Sequence, residues 1–226
     1  MHNIIDNLIL INKEISAINS DTKIIAVSKT FPIEHIQPAI DHGHLHFGEN
    51  KVQEALEKWA KVKEKNNSLK IHLIGKLQTN KVKFCLPLFD YIHSLDNIRL
   101  AEKIANEQVK KKFKPKIFIQ VNIGDEGQKN GIALNELDNF YETAKNFDLD
   151  IIGLMCIPPF VDHTEVYFKK MVQLKNKINL NDLSMGMSND YLKAAKNSST
   201  YVRIGCLLYT SPSPRDLSTS RMPSSA

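Results

Sequence analysis

The sequence of 226 residues lacks several features that would place it in a specialised class of protein. It has no apolar run of about eighteen residues, the length that a membrane-spanning helix requires. Its first residues do not show the basic-then-apolar order of a secretory signal. The three cysteines are widely spaced and form no Cys-x-x-Cys pair, which argues against a disulfide framework and a zinc finger. We therefore predict a protein of the reducing cytoplasm with no membrane partner.

The chain also lacks a large excess of either positive or negative charge. The formal net charge is only +5, and most lysines lie in segments typical of helix surfaces, where acidic residues intervene. No basic stripe is interleaved with aromatic side chains, as a nucleic-acid interface would require. The composition therefore predicts no nucleic-acid partner.

Short apolar runs and amphipathic segments alternate along the chain. Eight apolar runs are candidate strands, at residues 24–30, 45–48, 71–75, 91–95, 117–122, 151–155, 183–186 and 201–205. Five segments between them are candidate helices, at residues 32–42, 50–64, 97–111, 134–147 and 164–178. Asn97 is expected to cap the third of these helices.

This alternation predicts an α/β fold with a parallel sheet, and eight repeats predict a single-domain (β/α)8 TIM barrel over residues 1–205. The alternative is an open doubly wound sheet. No G-x-G-x-x-G motif follows the first run, which counts mildly against that alternative. From Cys206 the sequence becomes rich in Ser and Pro and loses all periodicity. Residues 206–226 are therefore predicted to be an atypical tail, either naturally disordered or a frameshift or assembly artefact.

Lys29 lies at the end of the first apolar run, where a strand buried on both faces would finish. A buried ammonium group is costly unless it is paired or neutral, and desolvation lowers the pKa of a lysine. The neutral amine is then a nucleophile toward aldehydes. Taken alone, the segment favours the simpler interpretation, in which the lysine extends to the surface.

The turns after the last two predicted strands contain features of a phosphate site. In a (β/α)8 barrel these turns lie at the catalytic face and often bind phosphate. Gly186 and Gly205 permit close backbone approach, and Ser188 supplies a hydroxyl. Tight packing at strand ends explains the two glycines equally well. Asp190 would repel a phosphate unless its carboxylate turns back to cap the following helix.

Six segments, found in this order, together resemble the pyridoxal phosphate homeostasis protein family, whose barrel is related to the N-terminal domain of alanine racemase. They are residues 26–30 (AVSKT), 47–50 (FGEN), 72–81 (HLIGKLQTNK), 153–155 (GLM), 183–188 (LSMGMS) and 202–205 (VRIG). The resemblance covers nearly all of residues 1–205. It implies a barrel of fold type III that binds pyridoxal 5′-phosphate (PLP).

The resemblance also implies the residues that contact this cofactor. They are Lys29, which would form a Schiff base, and Asn50, Met155, Ser188, Arg203, Gly205 and Cys206. Arg203 would face the pyridine nitrogen, while Ser188 and the backbone at Gly205 and Cys206 would hold the phosphate. Cys206 replaces the threonine of the family pattern R-I-G-T. A thiol is a weaker donor than a hydroxyl, so one lost hydrogen bond would cost about 1 to 3 kcal/mol.

A carrier is favoured over an enzyme. An arginine beside the pyridine nitrogen keeps that nitrogen unprotonated, which makes the ring a poorer electron sink. Racemisation also needs a second acid or base, which alanine racemase takes from a separate domain for which this chain leaves no room. The resemblance therefore implies a protein that holds PLP, releases it to PLP-dependent apoenzymes, and is a monomer. A PLP-dependent racemase is the alternative. A metal-binding module at His42, His44 and His46 is a third interpretation, but the last two lack an evident third ligand.

Overall fold

Eight parallel strands form a closed barrel in the computed structural model, which describes residues 4–127 and 130–209. The strands are β1 (Lys23–Val27), β2 (His46–Glu49), β3 (Lys70–Leu73), β4 (Tyr91–Leu95), β5 (Lys116–Val121), β6 (Asp150–Cys156), β7 (Asp182–Met187) and β8 (Tyr201–Ile204). Each strand pairs with the next in the sequence, and β8 pairs with β1. The predicted (β/α)8 barrel is confirmed, and the open doubly wound sheet is wrong because no edge strand is left unpaired.

Helices alternate with these strands around the outside of the barrel. They are α1 (Ile4–Ser16), α2 (Ile33–Asp41), α3 (Val52–Lys65), α4 (Val82–Cys85), α5 (Ile98–Lys111), α6 (Leu137–Lys145), α7 (Thr164–Lys177), α8 (Tyr191–Lys196) and α9 (Cys206–Tyr209), with a 3₁₀ turn at Thr79–Lys81. The five predicted helices correspond to α2, α3, α5, α6 and α7, and their ends differ from the prediction by at most three residues. Within the described residues, no helix is both long enough and apolar enough to cross a membrane.

Two helices illustrate how local sequence sets these elements. The predicted cap of α5 is confirmed, because Asn97 Oδ1 accepts a hydrogen bond from the backbone N–H of Leu100 at 2.8 Å. Helix α1 was not among the predicted helices. Its buried side chains nevertheless recur at helical spacing, at Ile4, Leu8, Ile11 and Ile15.

The barrel has two distinct apolar regions. The larger region lies between the strands and the surrounding helices and includes Trp59, whose ring packs on Phe47 with centroids 4.9 Å apart. The smaller region lies inside the barrel and is formed mainly by Ile25, Tyr91, Phe118, Met155 and Tyr201. The remaining interior positions include polar side chains that lead toward the carboxyl ends of the strands.

The structured barrel extends four residues beyond the predicted boundary at residue 205. Helix α9 covers the barrel with a buried Leu208, and the ring of Tyr209 stacks on Phe31 with centroids 4.0 Å apart. Asn7 Nδ2 of α1 donates to the carbonyl of Leu208 at 3.1 Å. These contacts make 206–209 part of the fold. The rest of the predicted tail, 210–226, lies outside the described residues, so its proposed origin stays a prediction.

Candidate functional site

A cavity of about 670 Å³ opens at the carboxyl ends of the strands. Six of the seven predicted site residues line it, namely Lys29, Asn50, Ser188, Arg203, Gly205 and Cys206. They follow or end four different strands, so only closure of the barrel brings them together. The wall is completed mainly by the segment after β6, which includes the exposed Phe160.

Met155, the seventh predicted residue, lies inside the barrel and does not line the cavity. It is 1% exposed and packs with Phe118 and Tyr201. Strand β6 continues one residue further, and the side chains that reach the cavity begin at Ile157. The described cavity wall therefore does not include Met155, and its predicted contact with the cofactor stays a prediction.

Lys29 is exposed on the cavity wall rather than buried. Strand β1 ends at Val27, so the lysine belongs to the turn that follows the strand. Its ammonium group makes no hydrogen bond or ion pair with any other residue in 4–127 or 130–209. Of the two interpretations of this lysine, the one in which its side chain extends to the surface, which the segment alone favoured, is therefore confirmed. The amine is accessible to a molecule in the cavity.

The segment immediately before Lys29 is held by a buried carboxylate. Glu49 Oε1 accepts hydrogen bonds from Ser28 Oγ at 2.8 Å and from Trp59 Nε1 at 2.8 Å. Lys58 Nζ donates to the same carboxylate oxygen at 2.9 Å and to the carbonyl of Ser28 at 2.7 Å. The glutamate of the FGEN segment thus ties the end of β1 to β2 and α3, which fixes the backbone from which Lys29 extends.

The backbone after β2 packs closely against the turn after β3. A Cβ atom added to Gly75 would lie 2.2 Å from the carbonyl oxygen of Asn50, a distance that no side chain tolerates. Gly75 therefore lets the two turns meet, and their contact sets the position of Asn50 on the cavity wall.

The two glycines of the predicted phosphate site have different roles. Gly186 has φ +92°, and a Cβ there would lie 2.4 Å from the Cβ of Ala194 in α8, so close packing explains it. At Gly205 the nearest atom to such a Cβ is 3.5 Å away, an ordinary contact. Packing does not require this second glycine, whose N–H donates to Ser188 Oγ at 3.4 Å.

Asp190 lines the same cavity as Ser188, so the carboxyl group that was expected to oppose a phosphate is present on its wall. Its Oδ1 accepts a hydrogen bond from the backbone N–H of Met187 at 2.7 Å, and the side chain makes no cap bond to α8. Burial is the main cause that raises the pKa of Asp190, while this hydrogen bond opposes the rise. The carboxylate thus turns back onto the turn after β7 rather than onto the helix.

Arg203 places a buried cation at the base of the cavity. It is 5% exposed, and its Nη1 donates at 2.8 Å to both the carbonyl and the hydroxyl of Ser184. Its Nη2 donates to the carbonyl of Cys156 at 2.8 Å. These bonds leave two of the five N–H groups of the guanidinium unused. No carboxylate of the described chain forms an ion pair with it, so the guanidinium favours an electron-rich ligand atom.

Sequence reasoning missed a row of polar side chains that leads from Arg203 through the barrel. His93 Nδ1 lies 2.9 Å from Ser184 Oγ, His72 Nδ1 lies 2.9 Å from His93 Nε2, and His46 Nδ1 lies 2.9 Å from His72 Nε2. We call these four residues and Arg203 the interior polar chain. The available signal was a histidine inside each of two apolar runs, 71–75 and 91–95, where a strand would bury it.

Burial lowers the pKa of the histidines in the interior polar chain. The pKa of His46 falls to about 4, and those of His72 and His93 fall well below the ordinary value. Nearby histidines and lysines further lower the pKa of His46 and of His72, and Arg203 further lowers the pKa of His93. All three imidazoles are therefore neutral at neutral pH.

The histidines proposed as a metal-binding module are not arranged for that role. His44 precedes β2, and its Nε2 makes a hydrogen bond with the carbonyl of His46 at 2.9 Å. His46 itself is bonded to His72. Across residues 4–127 and 130–209, no group of three His, Cys, Asp or Glu side chains is placed to hold a metal ion.

Comparisons with known proteins agree with this architecture. The sequence profile described as "Alanine racemase, N-terminal domain" matches residues 2–212. A pyridoxal phosphate homeostasis protein from Aquifex aeolicus is 38% identical over 197 residues, covering 83% of this chain and 86% of that protein. The protein of the same name from Escherichia coli K12 is 36% identical over 227 residues, covering 92% of this chain and 97% of that protein.

Solved structures of related proteins have the same barrel fold. PipY from Synechococcus elongatus, in a structure with PLP bound, superposes with a TM-score of 0.82 at 32% identity and covers 92% of this chain and 100% of its own. An alanine racemase from Clostridium difficile has a TM-score of 0.71 at 14% identity, covering 94% of this chain and 58% of its own, and shares the fold alone. The chain therefore belongs to the pyridoxal phosphate homeostasis protein family, built on the N-terminal barrel of the alanine racemase fold.

Proposed function

We propose that this chain binds PLP reversibly in the cavity at the carboxyl ends of the strands and thereby contributes to homeostasis of that cofactor. The observation that carries the proposal is the common cavity wall of Lys29, Ser188, Arg203 and Gly205. Its volume of about 670 Å³ lies within the usual range for small-ligand sites. PipY, at 32% identity, has a solved structure with PLP bound.

Lys29 is the residue that would hold the cofactor covalently. Bound PLP would supply an aldehyde carbon. Lys29 would attack that carbon through its deprotonated amine, forming a C=N bond with loss of one water. The exposed side chain allows this attack, and the Glu49 network keeps its backbone in place. Release would be the reverse reaction, in which one water would hydrolyse the C=N bond and return the free amine of Lys29 and the aldehyde.

The phosphate would lie at the turns after β7 and β8. Ser188 Oγ and the N–H of Gly205 are close enough to share one anionic oxygen, since they are 3.4 Å apart. The absence of a side chain at Gly205, whose added Cβ would lie 3.5 Å from Val27, supports this position. Cys206 begins the following turn and would contribute its backbone N–H and a weak thiol donor.

Arg203 would face the pyridine nitrogen with its remaining N–H groups. Because a guanidinium can only donate, it would hold that nitrogen as an unprotonated acceptor. An unprotonated ring withdraws electrons weakly, which disfavours removal of an α-proton from an amino acid. This supports a carrier rather than a racemase, as do the names of the relatives, which describe homeostasis and no reaction.

The same proposal extends to partners and location. PLP-dependent apoenzymes are the proposed recipients of the cofactor, and a monomer is the proposed form of the carrier. The buried free thiols of Cys85 and Cys156 support a reducing cytoplasm. Transfer is tested by mixing the loaded chain with a PLP-dependent apoenzyme and following its recovery of activity, while light scattering gives the mass of the carrier.

Absorbance spectroscopy and borohydride trapping test the proposal. We expect the wild type to show a Schiff-base band with PLP and to gain the mass of reduced PLP on Lys29. Lys29→Ala should lose both signals. Lys193→Ala is the matched control, because Lys193 also lines the cavity but donates to the carbonyl of Asp162, and it should keep the covalent adduct. An adduct that persists in Lys29→Ala would contradict the assignment.

A second measurement separates a carrier from an enzyme. The loaded chain is incubated with alanine in heavy water, and exchange of the α-proton is followed by NMR. We expect exchange no faster than with free PLP. Exchange that depends on the protein and is lost in Lys29→Ala would instead favour a racemase.

A further inference from the structure

The interior polar chain crosses the barrel from one end to the other. His46 is the first residue of β2 and is partly exposed, while Arg203 lines the cavity at the opposite end. Between them, His72, His93 and Ser184 are fully buried. Five strands therefore contribute to one continuous row of hydrogen bonds in a region that is otherwise lined mainly by apolar and aromatic side chains.

The two central imidazoles are held in fixed orientations by aromatic rings. His72 stacks on Tyr91 with centroids 4.1 Å apart and planes 9° apart. His93 stacks on Phe118 with centroids 4.4 Å apart and planes 16° apart. Such packing leaves the rings little freedom to tilt, so their nitrogen atoms remain aligned with the neighbours to which they are bonded.

The direction of hydrogen bonding follows from the chemistry at one end. Arg203 can only donate, so it occupies one lone pair of Ser184 Oγ. If His93 Nδ1 donated to the same oxygen, the hydroxyl proton would have no acceptor among the described contacts of Ser184. The hydroxyl therefore donates to His93 Nδ1. The proton of His93 then lies on Nε2 and is donated to His72 Nδ1, and His72 Nε2 donates to His46 Nδ1 in the same way.

We propose that Ser184 and His93 are positioning residues that orient the Arg203 guanidinium toward the cavity, and that Arg203 in turn imposes a single direction of hydrogen bonding on the three histidines, each protonated on Nε2. The direction of the bonds is a property of the protein alone. The effect on a bound ligand rests on the proposed function, in which Arg203 meets the pyridine nitrogen of PLP.

Ser184→Ala is the most selective test of this arrangement. It removes the hydroxyl while leaving the backbone carbonyls of Ser184 and Cys156 to bind the guanidinium. Ser184→Thr keeps a hydroxyl and serves as the conservative control. If Thr is too large for the site, His93→Gln provides a second variant, since an amide can accept from Ser184 and donate to His72. Circular dichroism checks that each variant folds.

The first readout is nitrogen NMR of the histidine side chains in the full chain without ligand at pH 7. We expect neutral rings protonated on Nε2 at His72 and His93 in the wild type and in Ser184→Thr. In Ser184→Ala the source of direction is gone, so His93 should show a mixture of tautomers. Protonation of His93 on Nδ1 in the wild type, or an unchanged tautomer in Ser184→Ala, would overturn the proposed direction.

The second readout is the complex with PLP. We expect Ser184→Ala to shift the absorbance maximum of bound PLP and to weaken binding about three- to tenfold, the value of one hydrogen bond, whereas Ser184→Thr keeps both near wild type. If wild type binds PLP and Ser184→Ala has the same spectrum and affinity, the positioning role is wrong. If wild type itself does not bind PLP, the proposed function fails, while the NMR result still decides the direction of the bonds.

Discussion

Lys58 Nζ lies 2.9 Å from Glu49 Oε1, and this ion pair is buried between β2 and α3, with side-chain exposures of 12% and 1%. Lys58 also donates to the carbonyl of Ser28, the residue before Lys29. The pair therefore connects the packing of a helix outside the barrel to the backbone that carries the proposed Schiff-base lysine. Loss of either partner should affect both stability and cofactor loading.

Replacing Lys58 by methionine is expected to reduce the free energy of unfolding by about 3 to 5 kcal/mol, because it leaves the Glu49 carboxylate buried without its cation. Urea unfolding measures this loss. Lys51→Met is the matched control, since Lys51 and Glu54 form an exposed ion pair at 2.6 Å, and its loss should cost less than about 1 kcal/mol. Equal effects of the two substitutions would show that burial does not strengthen the Lys58–Glu49 interaction.

Alanine at Gly186 should lower the stability of the fold, whereas alanine at Gly205 should weaken PLP binding. Gly186→Ala combines a left-handed backbone with a contact of 2.4 Å to Ala194, so we expect a loss of about 2 to 4 kcal/mol in unfolding free energy. Gly205→Ala meets only ordinary contacts and should change stability by less than about 1 kcal/mol while weakening PLP binding. Thermal unfolding and PLP titration of both variants separate packing from binding. A stable Gly186→Ala chain would contradict the packing role.

Acid is expected to destabilise the protein before its carboxylates are titrated. His44 and His46 have folded-state pKa values of about 4, compared with 6.5 when exposed, and burial is the main cause for both. Between these values the unfolded chain binds more protons than the folded one, so stability is retained above pH 6.5 and is lost as the pH falls toward 4. Each pKa unit between the folded and the exposed value of a histidine corresponds to about 1.4 kcal/mol of unfolding free energy.

His44→Gln provides the control for this pH dependence. The substitution removes one titrating group, so the slope of unfolding free energy against pH should become shallower between pH 4 and 6.5, the two values for His44. Asp190 acts in the opposite direction, because its raised pKa makes the folded chain bind the proton more tightly. Urea unfolding at several pH values measures the slope. Stability that does not change with pH over this range would contradict the neutral, buried state of the two histidines.

Restoring a hydroxyl at position 206 should strengthen PLP binding. Cys206 begins α9 on the cavity wall, and a threonine there would offer an O–H donor where the thiol is weak. We expect Cys206→Thr to bind PLP about three- to tenfold more tightly, as one additional hydrogen bond allows. Cys206→Val has the same shape without the donor and should show no gain. Equal affinities for the threonine and valine variants would remove the side chain of residue 206 from the phosphate site.

Much of the barrel could be predicted from local sequence. Each β-strand was visible as a short apolar run, because both faces of a parallel strand are buried. The cap of α5 was visible as Asn97 before an amphipathic segment. Helix α1 also carried the helical spacing of apolar residues and could have been predicted. The turn at Cys206–Tyr209 was hidden, because its order comes from contacts with Asn7 and Phe31, which are distant in sequence.

Some features of the candidate site could likewise be predicted from local sequence, and others depended on the tertiary structure. The order of six short motifs was enough to indicate the family and its cofactor. Each motif lies at or near the end of a strand, so residue identity alone also pointed to the candidate site residues. Whether Lys29 is exposed, whether Met155 reaches the cavity, and which glycine is needed for packing depended on how far each strand extends and what faces it. The row from His46 to Arg203 was beyond local sequence, since residues from five strands become neighbours only when the sheet closes on itself.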